Sequence, residues 1–345
     1  EFVKKGANVK VIMTKNATEF ITPLTLQTLS RNPVYTDMYA LAGDFSIAHI
    51  SLAEEADLVV IAPATANVIG KIASGIADDL LTTSVMATKA PVLICPAMNV
   101  NMYENRIVQE NLAKLAAYGY IVMDPASGEL ACGVIGAGRF PDVADVVDEV
   151  ESILTPKDFT GEKIIVTAGP TQEPFDPVRF ITNHSSGKMG YAVANMAHRR
   201  GAKVILISGP TALPKPRGVQ CISVATAQEM RDAVMKQLKD ATVVIKAAAV
   251  ADYRPAERAA SKIKKKDGPL HVALERNPDI IAEIGKKKGR RVVVGFAMET
   301  DNLIENAAAK LKSKNMDLII ANDLNQEGAI IKSMFLLFSF AAAFS

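Results

Sequence analysis

Short, mostly apolar runs alternate with amphipathic stretches along most of the chain. Runs of this length between polar segments are typical of buried parallel strands. The predicted strands are residues 9–13, 58–62, 92–95, 164–167, 204–207, 242–245, 292–294 and 318–321, and the predicted helices are residues 111–118, 143–154, 227–238 and 302–312. This alternation predicts an α/β fold in which helices cover both faces of a parallel sheet. Ligands of such sheets bind in loops at the carboxyl ends of the strands.

The length of 345 residues suits two domains of about 150 residues each. A boundary is predicted at residues 155–161, where Pro and Gly separate a helix from a new strand. A helix end with basic residues, a Gly and a strand occurs at residues 2–14 and again at 197–208. Only the second copy has a strand and a Gly-containing loop before its helix. The pattern predicts an N-terminally incomplete chain that lacks the first strand of its first domain.

Composition excludes several classes of protein. Hydrophobic residues make up 49% and charged residues 22% of the chain, which excludes a disordered protein. The three cysteines, Cys95, Cys132 and Cys221, form no CxxC pair, which excludes a disulfide framework and a cysteine-based zinc site. Residues 1–330 contain no apolar run near the 20 residues or so of a membrane span, and no signal-peptide pattern opens the chain. We expect a cytoplasmic protein that does not bind a membrane.

The charge is distributed unevenly. Residues 1–153 carry 10 Lys and Arg against 18 Asp and Glu, whereas residues 154–345 carry 29 against 19. A basic half attracts nucleic acid or phosphorylated metabolites. With 6% aromatic residues and no Trp, the chain has few surfaces on which bases could stack. Phosphorylated metabolites are therefore the predicted ligands, and no nucleic acid is expected.

Several loops of the second half could bind a nucleotide. Residues 183–190, NHSSGKMG, open a helix after GPT at 169–171, so they form either a phosphate-binding loop or a plain strand–helix turn. Asp252 follows a predicted strand and could hold Mg²⁺ or a ribose hydroxyl. The basic run at residues 262–266 is either a solvated loop or a lid over phosphates. Lys310 and Lys314 lie one helical turn apart.

The loops of the first half give weaker signals when each is taken alone. His49 precedes an apolar strand, Asn99 follows another strand, and Cys132 lies among glycines. A packed histidine, a turn and a passive cysteine are the ordinary interpretations of these three positions. Taken without any resemblance, the residues predict only a two-domain nucleotide-binding α/β protein.

Together, these motifs resemble two known enzyme families. His49, APATAN at 62–67, PAMNVNMY at 96–103 and ACG at 131–133 resemble the flavin-dependent cysteine decarboxylases. AGPT at 168–171, DPVR at 176–179, NHSSGKMG at 183–190, AVADY at 249–253 and KIKK at 262–265 resemble phosphopantothenate–cysteine ligase. In this order, over roughly residues 1–328, they resemble the bifunctional coenzyme A biosynthesis family. The resemblance implies two Rossmann-like three-layer domains, the first of them flavodoxin-like.

The resemblance assigns three segments to the chain. Residues 1–154 would be an FMN-dependent phosphopantothenoylcysteine decarboxylase domain without its first strand. Residues 158–332 would be a truncated CTP-dependent ligase domain, and residues 333–345 an aberrant apolar tail. This tail begins where the family continues with Gly-Phe-Gly-Ser-Asp after Gly328.

For the second domain the resemblance implies ligation of 4′-phosphopantothenate to cysteine. CTP with Mg²⁺ would activate the carboxylate as an acyl-cytidylate, which the amine of cysteine then attacks. Asn183 would hold the acyl-cytidylate, Arg179 would bind substrate, and Mg²⁺ would lie near Asp252. The implied CTP-binding residues are Asp252, Lys262, Pro278, Asp279, Ile280, Ile281, Phe296, Lys310 and Lys314.

For the first domain the resemblance implies FMN-dependent oxidation of the cysteinyl thiol to a thioaldehyde, loss of CO₂ and reduction of the enethiol to 4′-phosphopantetheine. His49 would be the base, Asn99 would bind the substrate carboxylate region, and Cys132 would return a proton. The implied FMN-binding residues are Thr14, Thr65, Ala66, Asn67, Val68 and Ala97. Family members are homo-oligomers, with a trimer-based decarboxylase and a dimeric ligase. The alternatives are a ligase-only enzyme and a non-catalytic flavin-binding regulatory subunit.

Overall fold

The computed structural model describes residues 1–39, 48–129, 135–265, 267–299, 302–323 and 334–338. The chain divides into two compact units, Glu1–Thr155 and Pro156–Ser345. Among the described residues, no helix is long and apolar enough to cross a membrane.

The first unit alternates short strands with helices. Its strands are β1 (Val11–Ile12), β2 (Val34–Tyr35), β3 (Val59–Ala64), β4 (Val92–Pro96), β5 (Ile121–Val122), β6 (Ala126–Glu129) and β7 (Ile135–Arg139). Its helices are α1 (Pro23–Ser30), α2 (Ala48–Glu55), α3 (Ala66–Ala73), α4 (Leu80–Ala87), α5 (Val100–Tyr103), α6 (Arg106–Ala117) and α7 (Val143–Leu154). Two 3₁₀ helices, Val3–Lys5 and Lys15–Glu19, complete it.

Strand β4 shows why this unit has three layers. All its residues are buried, and successive side chains enter different cores. Val92 and Ile94 pack with residues of α3 and α6, while Leu93 and Cys95 pack with residues of α7. Because side chains alternate across a strand, helices on both faces need a strand that is apolar throughout. Strands β3, β4 and β5 form one parallel ladder, β1 and β2 form another, and β6 and β7 form an antiparallel hairpin.

The second unit continues the alternation over a larger sheet. Its strands are β8 (Lys163–Ala168), β9 (Gln172–Pro174), β10 (Phe180–Thr182), β11 (Lys203–Ser208), β12 (Gln220–Ser223), β13 (Val243–Lys246), β14 (Tyr253–Pro255), β15 (Leu274–Arg276), β16 (Val292–Glu299), β17 (Leu318–Asp323) and β18 (Met334–Phe338). Its helices are α8 (Lys188–Arg199), α9 (Ala227–Gln237), α10 (Ile280–Lys286) and α11 (Leu303–Ser313), with a 3₁₀ turn at Leu238–Asp240.

Seven of these strands form one sheet in the order β12-β11-β8-β13-β16-β17-β18. The first six run parallel, and β18 pairs antiparallel with β17. Residues of α9, α10 and α11 pack in one core with Ile165, Ile205 and Val244. Residues of α8 pack in a second core with Ile164 and Val204 on the opposite face. The β9–β10 and β14–β15 hairpins stand apart from this sheet.

The structure confirms the predicted α/β fold, and each of the eight predicted runs overlaps a strand. The predicted helix at 111–118 begins earlier, at Arg106, because Asn105 caps it by accepting a hydrogen bond from the Ile107 N–H. The strands of the three hairpins, the two-residue strands β2 and β5, and strand β12 are not among the predicted runs, because each is too short or too polar to form an apolar run. Within the predicted apolar tail, Met334–Phe338 forms the edge strand β18.

Candidate functional sites

The loops that follow β8 and β13 lie side by side. These strands are neighbours in the sheet, and beyond their ends Pro170 and Ala249 still pair as an isolated bridge. The Ala249 N–H donates to the Gly169 carbonyl over 3.0 Å. The Ala251 N–H donates to Oγ1 of Thr171, also over 3.0 Å. These bonds join residues 169–171 and 249–251, about eighty residues apart in sequence, into one surface at the carboxyl end of the sheet. We call this surface the floor of the site.

Asn183 lies against this floor. Its Nδ2 donates to the Ala249 carbonyl over 3.3 Å, and the side chain is otherwise exposed. The predicted helix then begins at Lys188, after Gly187 with a φ of +76°. A Cβ on Gly187 would lie 3.3 Å from Cα of Gly169, so the helix start packs closely on the floor. The predicted loop therefore presents a helix N-terminus, which favours anions, beside the end of β8.

A second group of predicted residues adjoins the same floor through Asn277. The Asn277 N–H donates to the Asp252 carbonyl, and its Nδ2 donates to the Ala251 carbonyl, both over 2.8 Å. Asp279 caps α10, and its Oδ2 forms an ion pair with Nζ of Lys314 at 3.0 Å. Burial raises the pKa of the Asp279 carboxyl, but the hydrogen bond from Ala282 and the charge of Lys314 outweigh it. The net pKa is below its usual value, so Asp279 is ionised.

Lys246 is a member of this site that sequence reasoning missed. It ends β13 and is half-buried. Burial lowers the pKa of its ammonium group, and the charge of Lys314 lowers it further, while Asp279 and Asp252 act in the opposite direction. A lysine at the end of an apolar strand was the available signal. The site therefore holds closely placed charges of both signs.

The remaining predicted CTP residues fall into two groups. Ile280 and Ile281 are core residues, 1% and 4% exposed, so only their backbone could meet a ligand. Pro278, Phe296 and Lys310 are half-buried, while Lys262 is exposed. Among the described residues, no group of three or more His, Cys, Asp or Glu side chains could hold a metal ion. The assignment of Mg²⁺ to Asp252 stays a prediction.

The guanidinium of Arg179 contacts groups of its own chain. Nε and Nη2 donate to Oδ2 of Asp176 over 2.9 and 2.6 Å, and Nη2 also donates to the Ile263 carbonyl over 3.0 Å. The guanidinium carbon lies 5.1 Å from the centre of the Phe175 ring. Substrate binding by Arg179 stays a prediction, and these contacts leave its side chain 40% exposed.

In the first unit, the predicted flavin-binding residues follow strand ends. Thr14 follows β1 and caps a 3₁₀ helix, its Oγ1 accepting from the Ala17 N–H over 3.3 Å. Thr65 follows β3 and caps α3, accepting from the Val68 N–H over 3.4 Å. The N–H groups of Ala66 and Asn67 occupy the first turn of α3, where a helix supplies no acceptor of its own. Hydroxyl groups and helix-end N–H groups fit the phosphate and ring edges of a flavin.

The loop after β4 is held against its neighbours. The Ala97 N–H donates to the Ala64 carbonyl over 3.0 Å, and the Met98 N–H donates to the Gly138 carbonyl over 2.9 Å. Gly138 has a φ of +141°, and a Cβ there would lie 2.3 Å from the Met98 oxygen. Only glycine permits this approach, which places β7 directly beside Ala97 and Asn99.

The three residues predicted to act in decarboxylation are His49, Asn99 and Cys132, and the structure describes the surroundings of the first two. His49 lies in the first turn of α2, and its Nδ1 is buried without a hydrogen-bond partner among the residues that the structure describes. Asn99 caps α5, with Oδ1 accepting from the Asn101 N–H over 2.9 Å. Cys132 lies outside the described residues. An orphaned imidazole nitrogen is costly unless a ligand pairs with it, so His49 fits a site that receives one.

Comparison with protein families defines the class first. Residues 1–155 match the Flavoprotein family, and residues 159–336 match the DNA/pantothenate metabolism flavoprotein C-terminal domain. The chain is thus a two-part α/β protein of the pantothenate metabolism flavoprotein class.

Comparison with individual relatives identifies the family within this class. The chain is 48% identical over 333 residues to the coenzyme A biosynthesis bifunctional protein CoaBC of Bacillus subtilis, covering 95% of this chain and 82% of that protein. It is 47% identical over 327 residues to CoaBC of Escherichia coli K12, covering 93% and 80%. A crystal structure of the C-terminal domain of a CoaBC protein is 44% identical with a TM-score of 0.44, covering 52% of this chain and 88% of that one.

The chain belongs to the family of coenzyme A biosynthesis bifunctional proteins. This membership confirms the prediction of an enzyme of coenzyme A biosynthesis that combines a ligase with a flavin-dependent decarboxylase. The roles of individual residues stay predictions.

Proposed function

We propose that the second unit joins 4′-phosphopantothenate to cysteine at the expense of CTP. The observation that carries this proposal is the floor formed by the loops after β8 and β13, against which Asn183 and the Asn277–Asp279 segment both lie. The substrate carboxylate attacks the α-phosphorus of CTP, pyrophosphate leaves, and the cysteine amine displaces CMP from the acyl-cytidylate. Two anionic substrates must meet here, so cationic side chains lower the repulsion between them.

The residues around this floor have distinct tasks in the proposed reaction. Asn183 orients the mixed anhydride, because its amide is already fixed on the Ala249 carbonyl and keeps one N–H free of that bond. Lys246, Lys310 and Lys314 supply positive charge for the triphosphate, and Lys262 brings further charge from the basic run. Mg²⁺ enters with the nucleotide and is held chiefly by the nucleotide phosphates. Asp252 is the carboxylate of the protein that is proposed to bind it.

The first unit is proposed to decarboxylate the ligation product with FMN as its cofactor. When bound, FMN would accept two electrons from the cysteinyl carbon–sulfur group and return them after CO₂ has left. Thr14, Thr65 and the N–H groups of Ala66 and Asn67 would hold the cofactor, with Val68 and Ala97 lining it. His49 would take a proton from the substrate in the oxidation, Asn99 would bind the carboxylate region, and Cys132 would return the final proton.

One assay series tests both halves. Purified protein with 4′-phosphopantothenate, cysteine, CTP and Mg²⁺ should release pyrophosphate and CO₂ and form 4′-phosphopantetheine. ATP in place of CTP should give neither product, and removal of FMN should stop CO₂ while leaving pyrophosphate release intact. Pyrophosphate release with ATP at the same rate, or CO₂ from FMN-free protein, would contradict the assignment.

The Cys132 role has a separate test. Cys132→Ser should still release CO₂ but accumulate the enethiol, because a hydroxyl is a much weaker acid than a thiol with a pKa of about 8.5. Mass spectrometry of the products distinguishes the enethiol from 4′-phosphopantetheine. Saturated product formed at the parental rate would make the thiol a bystander. The cytoplasmic location and the homo-oligomeric assembly stay predictions.

A further inference from the structure

Asp176 is a buried carboxylate that joins its own loop to a segment 87 residues further along the chain. It is 1% exposed and lies in the loop between β9 and β10. Oδ1 accepts from the N–H groups of Val178 and Arg179, each over 2.8 Å. Oδ2 accepts both donors of the Arg179 fork and also the N–H of Ile263 at 3.2 Å. A carboxylate with this many donors is well compensated for its burial.

Ile263 is held through both of its backbone polar groups. Its N–H donates to Asp176, and its carbonyl accepts from Nη2 of Arg179 over 3.0 Å. The chain just before it is tethered as well, because the Ala259 N–H donates to the Phe175 carbonyl over 3.0 Å. Ile263 is half-buried, whereas its neighbours Lys262 and Lys264 are exposed. The basic run is therefore pinned at one residue, with exposed lysines on either side of the pin.

We propose that Asp176 and Arg179 form a clamp that positions the basic run 262–265 for nucleotide binding. The clamp sets the point about which the run moves, and thereby limits where the ammonium group of Lys262 can reach. Arg179 is then a positioning residue that acts through Ile263. This inference rests on the proposed CTP-dependent function for its consequence, but the clamp itself can be tested without catalysis.

The Asp176 carboxyl of the clamp is ionised at neutral pH. The hydrogen bonds from Arg179 lower the pKa of Asp176 far below its usual range, and the N–H groups of Val178, Arg179 and Ile263 add to this effect against the opposing effect of burial. Among the described residues, the charged group in contact with Asp176 is the guanidinium of Arg179. Because the folded-state pKa is depressed, the stabilisation is complete above the unfolded-state value of about 4 and disappears only as pH falls toward the folded-state value. Protection of the run should not change between about pH 6 and pH 8.

Limited trypsin digestion of the full chain tests the clamp directly, since trypsin cleaves after lysine. Asp176→Asn and Arg179→Lys should each raise the rate of cleavage within residues 262–265 by about ten- to a hundredfold, the ratio expected when hydrogen bonds to a charged group are lost. Asp158→Asn is the matched control, because it removes the fork between Arg200 and an exposed carboxylate elsewhere in the unit. It should leave the rate unchanged. Thermal unfolding of every variant identifies any that lose the fold, and Arg179→Lys retains the charge if Asp176→Asn does not fold.

Kinetics separate positioning from direct substrate binding. Under the clamp hypothesis, both variants raise KM for CTP about tenfold with a smaller change in kcat, and this effect is lost in a Lys262→Ala background. If Arg179 instead binds 4′-phosphopantothenate, Arg179→Lys raises KM for that substrate alone and cleavage stays at the parental rate. Unchanged cleavage in both folded variants overturns the clamp. Absence of CTP-dependent pyrophosphate release in the parent would overturn the proposed function, while the digestion result would still decide whether the clamp exists.

Discussion

The two units organise their candidate sites in opposite ways. In the second unit, the chain itself connects the site residues, since Asn183 is bonded to Ala249, Asn277 to Asp252, and Lys314 to Asp279. In the first unit, the predicted flavin-binding residues follow strands of two separate ladders. Thr14 follows β1, whereas Thr65 and Ala97 follow β3 and β4, which share one ladder.

This difference suggests which site depends on its ligand. The carboxyl ends of β8 and β13 are fixed by direct pairing in a continuous seven-stranded sheet, so the second site is preorganised. The first site collects groups from two ladders and leaves Nδ1 of His49 buried without a partner among the described residues. We expect its geometry to depend more on what binds there.

The largest expected effect comes from His49→Asn. Loss of a general base should lower the rate of CO₂ release about 10²- to 10⁴-fold, while CTP-dependent pyrophosphate release stays at the parental rate. Quantifying both products in one reaction checks this. His271→Asn, an exposed histidine of the second unit, is the control and should alter neither decarboxylation nor FMN absorbance. Parallel loss of both activities would show that the two sites are not independent.

Asn183→Asp should act on the second site with a somewhat smaller effect. The carboxylate cannot donate to the Ala249 carbonyl and repels it, so amide formation should fall about 10²-fold while pyrophosphate is still released. Mass spectrometry should detect accumulated acyl-cytidylate. Asn32→Asp, which removes a similar bond from Nδ2 to the Val9 carbonyl in the first unit, should leave ligation unchanged. Loss of pyrophosphate release together with ligation would give Asn183 an earlier role.

Lys246→Met tests whether the buried ammonium group of the second site lowers the free energy of unfolding. Removing the ammonium should raise KM for CTP about ten- to a hundredfold. The folded-state pKa of Lys246 is lowered below the unfolded-state value of about 10.4. At a pH between these two pKa values, the unfolded chain binds more protons than the folded chain. The stability of the parent therefore rises with pH over this interval. The variant should therefore be more stable than the parent by a margin that is largest below the folded-state pKa. Urea unfolding at several pH values measures it, and a margin that does not shrink toward pH 10 would refute the burial argument.

Two helix caps give the smallest and most closely matched comparison. Thr65→Ala and Thr226→Ala each remove a cap, from α3 and α9, and each should lower the free energy of unfolding by about 1 kcal/mol. Thr65→Ala should also weaken FMN binding, whereas Thr226→Ala should leave KM for CTP unchanged. Fluorescence titration with FMN and CTP kinetics read the two outcomes. Equal FMN affinity in the parent and Thr65→Ala would remove Thr65 from the flavin site.

The fold class, the parallel strands and the position of most candidate residues at strand ends could be predicted from the sequence. These features depend on local periodicity and on apolar runs, which are readable wherever a strand is buried on both faces, as β4 and β8 are. The motif order also predicted the family. The hairpin strands are too short or too polar to form an apolar run, and β18 lies in the segment 333–345 that the resemblance assigns to an aberrant apolar tail.

Contacts between residues far apart in sequence were set by the fold alone. Asp176 and Ile263 lie 87 residues apart, and Lys246 is influenced by Lys314 across 68 positions. No local pattern records such pairs, because they form only when the sheet brings the loops after different strands to one edge. The pKa of a lysine or the partner of an arginine depends on that neighbourhood and on burial, both of which are properties of the folded chain.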